Sequence, residues 1–152
     1  MRRLIDLCMD ICLAPLVFCV CTLISVAIKW ESPGPAIFRS KRIGENASQF
    51  VIYKLRTMSQ QAPLRATADL FMSSYVTKVG KILRSYSLDE LPQFMNILNG
   101  SMTLIGPRPC LECQSELISL RSHYGIIEMK PGLTGLAQVS GRDSLTIKKS
   151  AL

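Results

Sequence analysis

The sequence predicts an α+β fold, mainly helical, in which an N-terminal re-entrant membrane helix over residues 1–30 precedes a small globular body over 31–152 that carries a short hairpin. Three observations predict it. Residues 11 to 28 form a run of 18 positions without a formal charge. Residues 36 to 40 and 50 to 56 have strand-like content and flank a polar turn at 44 to 49. Leu91, Phe94, Met95 and Leu98 recur at i, i+3, i+4 and i+7, one face of a helix closed by Asn99 and Gly100.

As a helix the apolar run reaches about 27 Å at ~1.5 Å per residue, close to the thickness of a bilayer's hydrocarbon core. A cleaved signal peptide, a spanning anchor and a re-entrant helix all fit that length. Arg2, Arg3 and the small residues Ser25, Val26 and Ala27 suit the first. Asp6 and Asp10 oppose it: they share one helix face, and a carboxylate deep in lipid costs about 2.5–3.5 kcal/mol. They belong at an interface, with Arg2 and Arg3 in reach of Asp6. Beyond the run stand Lys29, Arg39, Lys41, Arg42, Lys54 and Arg56 against only Glu31 and Glu45. With both flanks basic, the positive-inside bias places both ends on the cytoplasmic side, which favours re-entry, and Pro15 supplies a break.

Hydrophobic residues make up 48% of the chain, and 18 Lys and Arg against 11 Asp and Glu give a net charge of +7. Such a chain suits anionic partners: nucleic acid, lipid headgroups or a phosphorylated small molecule. Nucleic acid is disfavoured, because the basic residues are scattered and no nucleic-acid-binding motif accompanies them. Four of the six cysteines, Cys8, Cys12, Cys19 and Cys21, lie in or beside the apolar run and act there as small hydrophobes. Cys110 and Cys113 form a lone C-x-x-C without a second ligand pair, so they read as reduced thiols and not as a zinc site.

Residues 31 to 35 (ESPGP) are a dense turn signal that ends the first helix. Residues 59 to 75 are polar and read as a mobile loop or weak helix. A helical pattern starts at Val79, a short apolar piece at 102 to 105 leads into Gly-Pro-Arg-Pro, a helix is expected over 111 to 124, and the tail from Lys130 is rich in turn glycines.

Residues 87 to 90 (SLDE) have a structural explanation as a capping box, with Ser87 as N-cap, Glu90 at N3 and Asp89 favourable beside the helix dipole. A helix N-terminus also attracts phosphate, and two adjacent carboxylates would repel it unless cations intervene. Arg84, Arg108, Lys54, Arg56, Lys130 and Arg142 are the candidates. Pro107 and Pro109 restrict the backbone around Arg108, so its guanidinium is presented in a fixed direction for a bidentate phosphate contact. Carboxylates among such cations allow metal-assisted hydrolysis or carboxylate attack on phosphorus. The only histidine, His123, lies far from this set in sequence and reads as a surface or packing residue.

The segments KLRTM (54 to 58), residues 80 to 109 (GKILRSYSLDELPQFMNILNGSMTLIGPRP) and KPGLTGLAQVSGR (130 to 142), with SPGP (32 to 35), resemble the bacterial sugar transferase family, the small monotopic phosphoglycosyl transferases. The resemblance implies that Asp89 attacks the sugar-linked phosphate of a UDP-sugar, releases UMP and holds the phospho-sugar until polyprenol (undecaprenyl) phosphate accepts it. It implies that Glu90 holds Mg²⁺, that Lys54 and Arg108 bind phosphate, that Arg84 sits near headgroups or the site rim, and that Gln138 and Arg142 shape the donor pocket. It also implies a re-entrant helix in the bacterial inner membrane, a catalytic body on the cytoplasmic face, contact with membrane lipid, no nucleic-acid partner, and room for a homo-oligomer.

The sequence departs from the family pattern in three places. The family's Ser-Pro break falls about one helical turn beyond Pro15, near Phe18 and Cys19. Ile126 and Glu128 stand where a basic residue precedes the PG motif. The family continues past Arg142 with aromatic-rich amphipathic helices, so the chain reads as C-terminally truncated, and an inactive membrane-anchored remnant or interaction module is the alternative reading. No residue ties the site to a particular sugar.

Overall fold

The computed structural model describes residues 2–62 and 74–135; the calls on the 59 to 75 loop beyond residue 62, on Gln138 and on Arg142 lie partly or wholly outside these. Among the described residues the elements run α1 (Arg2–Glu31), β1 (Ile37–Ile43), β2 (Gln49–Leu55), α2 (Lys78–Ser85), a 3₁₀ segment Leu88–Gln93, α3 (Phe94–Leu98), β3 (Thr103–Ile105), α4 (Ser115–His123), a 3₁₀ turn Ile126–Glu128 and β4 (Gly132–Thr134). Helices with two small sheets make an α+β chain, as expected.

α1 is 30 residues long and its helical assignment continues through Pro15, for a length of about 45 Å. It contains an 18-residue window of mean hydropathy 2.7 of which 6% is buried. The core helix of a water-soluble protein buries such a stripe; here Leu16, Phe18, Leu23 and Trp30 are between 64% and 86% exposed. An apolar surface of that extent calls for lipid or a partner.

β1 and β2 form a two-stranded sheet. Five residues, 44 to 48, connect them, and so short a link joins antiparallel neighbours only. The hairpin expected from residues 36 to 40 and 50 to 56 is therefore present and longer at the turn end.

The chain divides into two compact units. One comprises residues 1–12, 39–52 and 93–152. Its core is Ile52, Ile97 and Met102, with Phe50, Leu104 and Leu133 packed against them. Asn96 is fully buried; its Nδ2 donates to Val51 O at 2.7 Å and to Ser101 Oγ at 3.1 Å. Its carbonyl accepts from Met102 N at 3.0 Å, so a polar side chain stitches α3 to β2 within the apolar core. β3 and β4 pair in parallel, Thr103 opposite Gly132 and Ile105 opposite Thr134, with α4 in the crossover that parallel strands require. A Cβ on Gly132 would lie 2.1 Å from Gly106 N, so only glycine lets the two backbones approach this closely. The tail read as glycine turns thus supplies a strand. The first turns of α1 belong to this unit as well. Arg3 Nη2 donates to Leu98 O at 2.9 Å and its Nη1 to Ile97 O, capping carbonyls at the C-terminus of α3, while Asp6 accepts from Thr103 Oγ1. The pairing of Arg3 with Asp6 read from the sequence is thereby replaced, because each finds a fixed backbone or hydroxyl partner.

The other unit comprises residues 13–38 and 53–92. Ile28, Ala36, Leu55 and Leu83 form its core, with Ile24, Val79 and Leu88 packed against it. The C-terminal end of an apolar helix, a strand end and α2 thus share one small apolar cluster.

Candidate active site

The site is built in the second unit from β2, α2 and the 3₁₀ segment. Residues 91 to 98 read as one helix from their spacing, but Pro92 lies in the 3₁₀ stretch Leu88–Gln93 and α3 starts only at Phe94. Proline lacks an N–H and cannot extend an α-helical ladder into the preceding turn, so the tighter winding is used there. Ser87 has φ 58°. An N-cap occupies the β region, so the capping box expected of Ser87 and Glu90 is not how this segment starts; Ser87 is a left-handed joint that turns the chain out of α2.

That joint brings Asp89 and Glu90 to Lys54. Lys54 Nζ donates to Glu90 Oε1 at 2.8 Å and lies 3.8 Å from Asp89 Oδ2. The three side chains are 18%, 10% and 13% exposed for Lys54, Glu90 and Asp89. Burial pushes the Asp89 carboxyl above its ordinary range; the Lys54 charge opposes that, the Glu90 carboxylate adds to it, and Arg84 opposes it. One ammonium between two carboxylates leaves a net negative charge with Asp89 the more loosely held oxygen donor. Such an oxygen is open to attack an electrophilic phosphorus, and a carboxylate needs no separate base to do so.

Arg84 joins this group from the last turn of α2, and its Nε donates to Thr57 Oγ1 at 2.9 Å. Arg56, grouped with the phosphate cations from sequence, is instead 7% exposed and donates to Pro33 O at 2.6 Å and Ser32 O at 2.7 Å. It ties down the ESPGP turn. Lys130 lies 3.8 Å from Glu45 on the surface. Arg108 belongs to the first unit, where its carbonyl accepts from Arg121 Nη1 at 2.6 Å. With Gly44, Pro107, Pro109 and Arg121 it lines a shallow surface depression. Arg121 is 5% exposed; nothing in the sequence of the 111 to 124 helix singled it out. Thr57 and Glu31 were also missed, since neither stands out by charge pattern and their partners lie far away in sequence.

Among the described residues no three His, Cys, Asp or Glu come together. The adjacent carboxylates of Asp89 and Glu90 are nonetheless a hard-oxygen donor pair whose charge Lys54 compensates only by half. Mg²⁺ is bound by one or two carboxylates with substrate phosphates completing its shell, so the residues present fit that ion.

Residues 1–151 match the family described as bacterial sugar transferase. A UDP-glucose:undecaprenyl-phosphate glucose-1-phosphate transferase of Caulobacter vibrioides is 43% identical over 144 residues, covering 92% of this chain and 54% of the relative. One of the same description from Escherichia coli is 37% identical over 147 residues, covering 92% and 32%. The sugar transferase EpsL of Bacillus subtilis, of uncharacterized function, is 33% identical over 152 residues, covering 98% and 73%. The chain therefore spans about half or less of the length of the two named glucose-1-phosphate transferases.

Proposed function

Because the chain belongs to the bacterial sugar transferase family, we propose that it transfers a sugar-1-phosphate from a UDP-sugar to undecaprenyl phosphate, the initiating step of a bacterial polysaccharide or glycoconjugate. The observation that carries the proposal is the largely buried Asp89–Glu90 pair facing the ammonium of Lys54. An Asp89 oxygen forms a bond to the sugar-bearing phosphorus as the bond from that phosphorus to the UMP oxygen breaks, and UMP leaves with the electron pair. An oxygen of undecaprenyl phosphate then attacks the same phosphorus, the bond to Asp89 breaks, and the carboxylate is regenerated.

Lys54 and Arg84 bring positive charge to the reacting carboxylate, and Glu90 is the residue assigned to hold Mg²⁺, which supplies charge neutralisation on the diphosphate when bound. Arg108, Gln138 and Arg142 are assigned to donor binding on the resemblance alone. The names of the relatives support a UDP-sugar donor and an undecaprenyl phosphate acceptor. The outward apolar surface of α1 supports membrane association. The basic flanks support re-entry from the cytoplasmic face of the inner membrane, although α1 runs through Pro15 without the break expected there.

The test uses membranes containing the chain, UDP-glucose and a panel of other UDP-sugars, with release of UMP and the mass of the intact protein as readouts. The expected result is UMP release without acceptor and a protein heavier by one phospho-sugar, both absent in Asp89→Asn. An adduct that survives Asp89→Asn removes the nucleophile, and a wild-type chain that releases no UMP from any donor removes the function.

A further inference from the structure

Glu31 is the last residue of α1 and follows Trp30, which is 86% exposed; a tryptophan at the end of an apolar helix marks the level of lipid headgroups. The Glu31 carboxylate closes on a different helix. Its Oε1 accepts from Lys78 N at 2.6 Å and its Oε2 from Val79 N at 3.0 Å. The neighbouring donors are taken as well: Gly80 N donates to Thr77 Oγ1 at 2.9 Å, and Thr77 N to Thr57 O at 3.1 Å. The unpaired N–H groups at the start of α2 are thus satisfied, two of them by the end of the membrane helix.

At its other end α2 carries Arg84, whose Nε donates to Thr57 Oγ1. Only Tyr86 and Ser87 separate α2 from the 3₁₀ segment that bears Asp89. Arg56 holds the carbonyls of Ser32 and Pro33, the residues directly after Glu31. The bilayer end of α1 is therefore tied to both sides of the carboxylate site.

We infer that Glu31 is a positioning residue for the reaction at Asp89: its two-oxygen grip on the N-terminus of α2 fixes Arg84 beside Asp89, so that the end of the membrane helix sets the charge around the reacting carboxylate. The catalytic meaning of this inference rests on the assignment of Asp89 as nucleophile. The shared ligand of the grip is the chain itself, so no small molecule is involved. Glutamine at residue 31 keeps the shape but loses the charge and one acceptor.

The experiment compares Glu31→Gln, Arg84→Ala, their double variant and Thr77→Ala in the full chain in membranes. Thr77→Ala removes another cap of the same helix and one hydroxyl contact of Glu31, and leaves the two backbone N–H groups that Glu31 accepts from in place. The expected result at saturating UDP-glucose is that Glu31→Gln slows adduct formation about tenfold with KM within about twofold. The same change adds less than about twofold in the Arg84→Ala background, and Glu31→Asp recovers part of the rate. Thr77→Ala, with a comparable thermal shift, slows the step less than about twofold. Wild-type rates in Glu31→Gln, independent losses in the double variant, or an equal loss in Thr77→Ala overturn the inference. Should the wild-type chain form no adduct, the proposed function fails and the melting temperatures of the same variants decide the inference by themselves: the losses in Glu31→Gln and Arg84→Ala are then less than additive in the double variant, and additive losses overturn the inference.

Discussion

Lys54 on β2 holds Glu90 from beyond α2, Nζ to Oε1 at 2.8 Å, across 36 positions of sequence. The pair is asymmetric toward Asp89, which stands at 3.8 Å from the same ammonium. Glu90 carries most of the neutralising contact and Asp89 less of it. Two consequences of this asymmetry can be measured, and three further predictions rest on other contacts.

Removing the ammonium leaves two adjacent, largely buried carboxylates without their cation. Lys54→Met is expected to lower stability by about 1–3 kcal/mol at pH 7, with the loss shrinking as the carboxylates take up protons in acid. Thermal melts in detergent between pH 4 and pH 8 measure it; a loss that does not change with pH would count against the electrostatic cause.

Asp89 is held above its ordinary pKa by burial, partly offset by Lys54 and reinforced by Glu90. Its raised value means that it contributes stability below the ordinary carboxyl range and loses that contribution as pH rises through the folded value. Asp89→Asn therefore melts near its parent in acid and above it at neutral pH, while forming no adduct. A neutral-pH melting temperature below that of the parent contradicts this sign.

Gly80→Ala introduces a Cβ at 2.1 Å from Thr57 O. Alanine in a helix is ordinarily favoured over glycine by about 1 kcal/mol. Here the backbone contact reverses the sign, with a net cost of about 1–3 kcal/mol and displacement of Arg84 from Thr57. A variant as stable and as active as the parent would show that α2 is not packed on the end of the KLRTM segment.

Asp10 is fully buried, and among the described residues neither of its carboxylate oxygens has a hydrogen-bond partner. An unsatisfied buried polar group costs about 1–3 kcal/mol, so Asp10→Ala is expected to raise the melting temperature in detergent. A drop would mean that the carboxylate is serving a contact made only in the membrane.

The membrane topology is open to the same kind of check. A protease-sensitive tag ahead of Met1 and maleimide labelling of the exposed Cys113 report the two sides of α1. Protection of both in right-side-out vesicles and access to both in inverted ones is the outcome that re-entry requires. Labelling from opposite sides establishes a spanning helix.

Much of this molecule was legible along the chain. The uncharged run from Ile11 to Ile28, the hairpin around residues 44 to 49, and the helical spacing of Phe94, Met95 and Leu98, though not a helix start at Leu91, are periodic or compositional, and such signals are complete within a window of one element. Asp89, Glu90, Lys54 and Arg84 were also named from their types and neighbours, because carboxylates and cations in alternation advertise anion chemistry wherever they fold. Only the tertiary structure decided that Lys54 meets Glu90, that Arg56 holds the carbonyls of Ser32 and Pro33, and that β3 pairs with β4. Each depends on a hydrogen bond or a close approach between segments tens of residues apart, and local propensity carries no information about which distant donor will be brought to which acceptor.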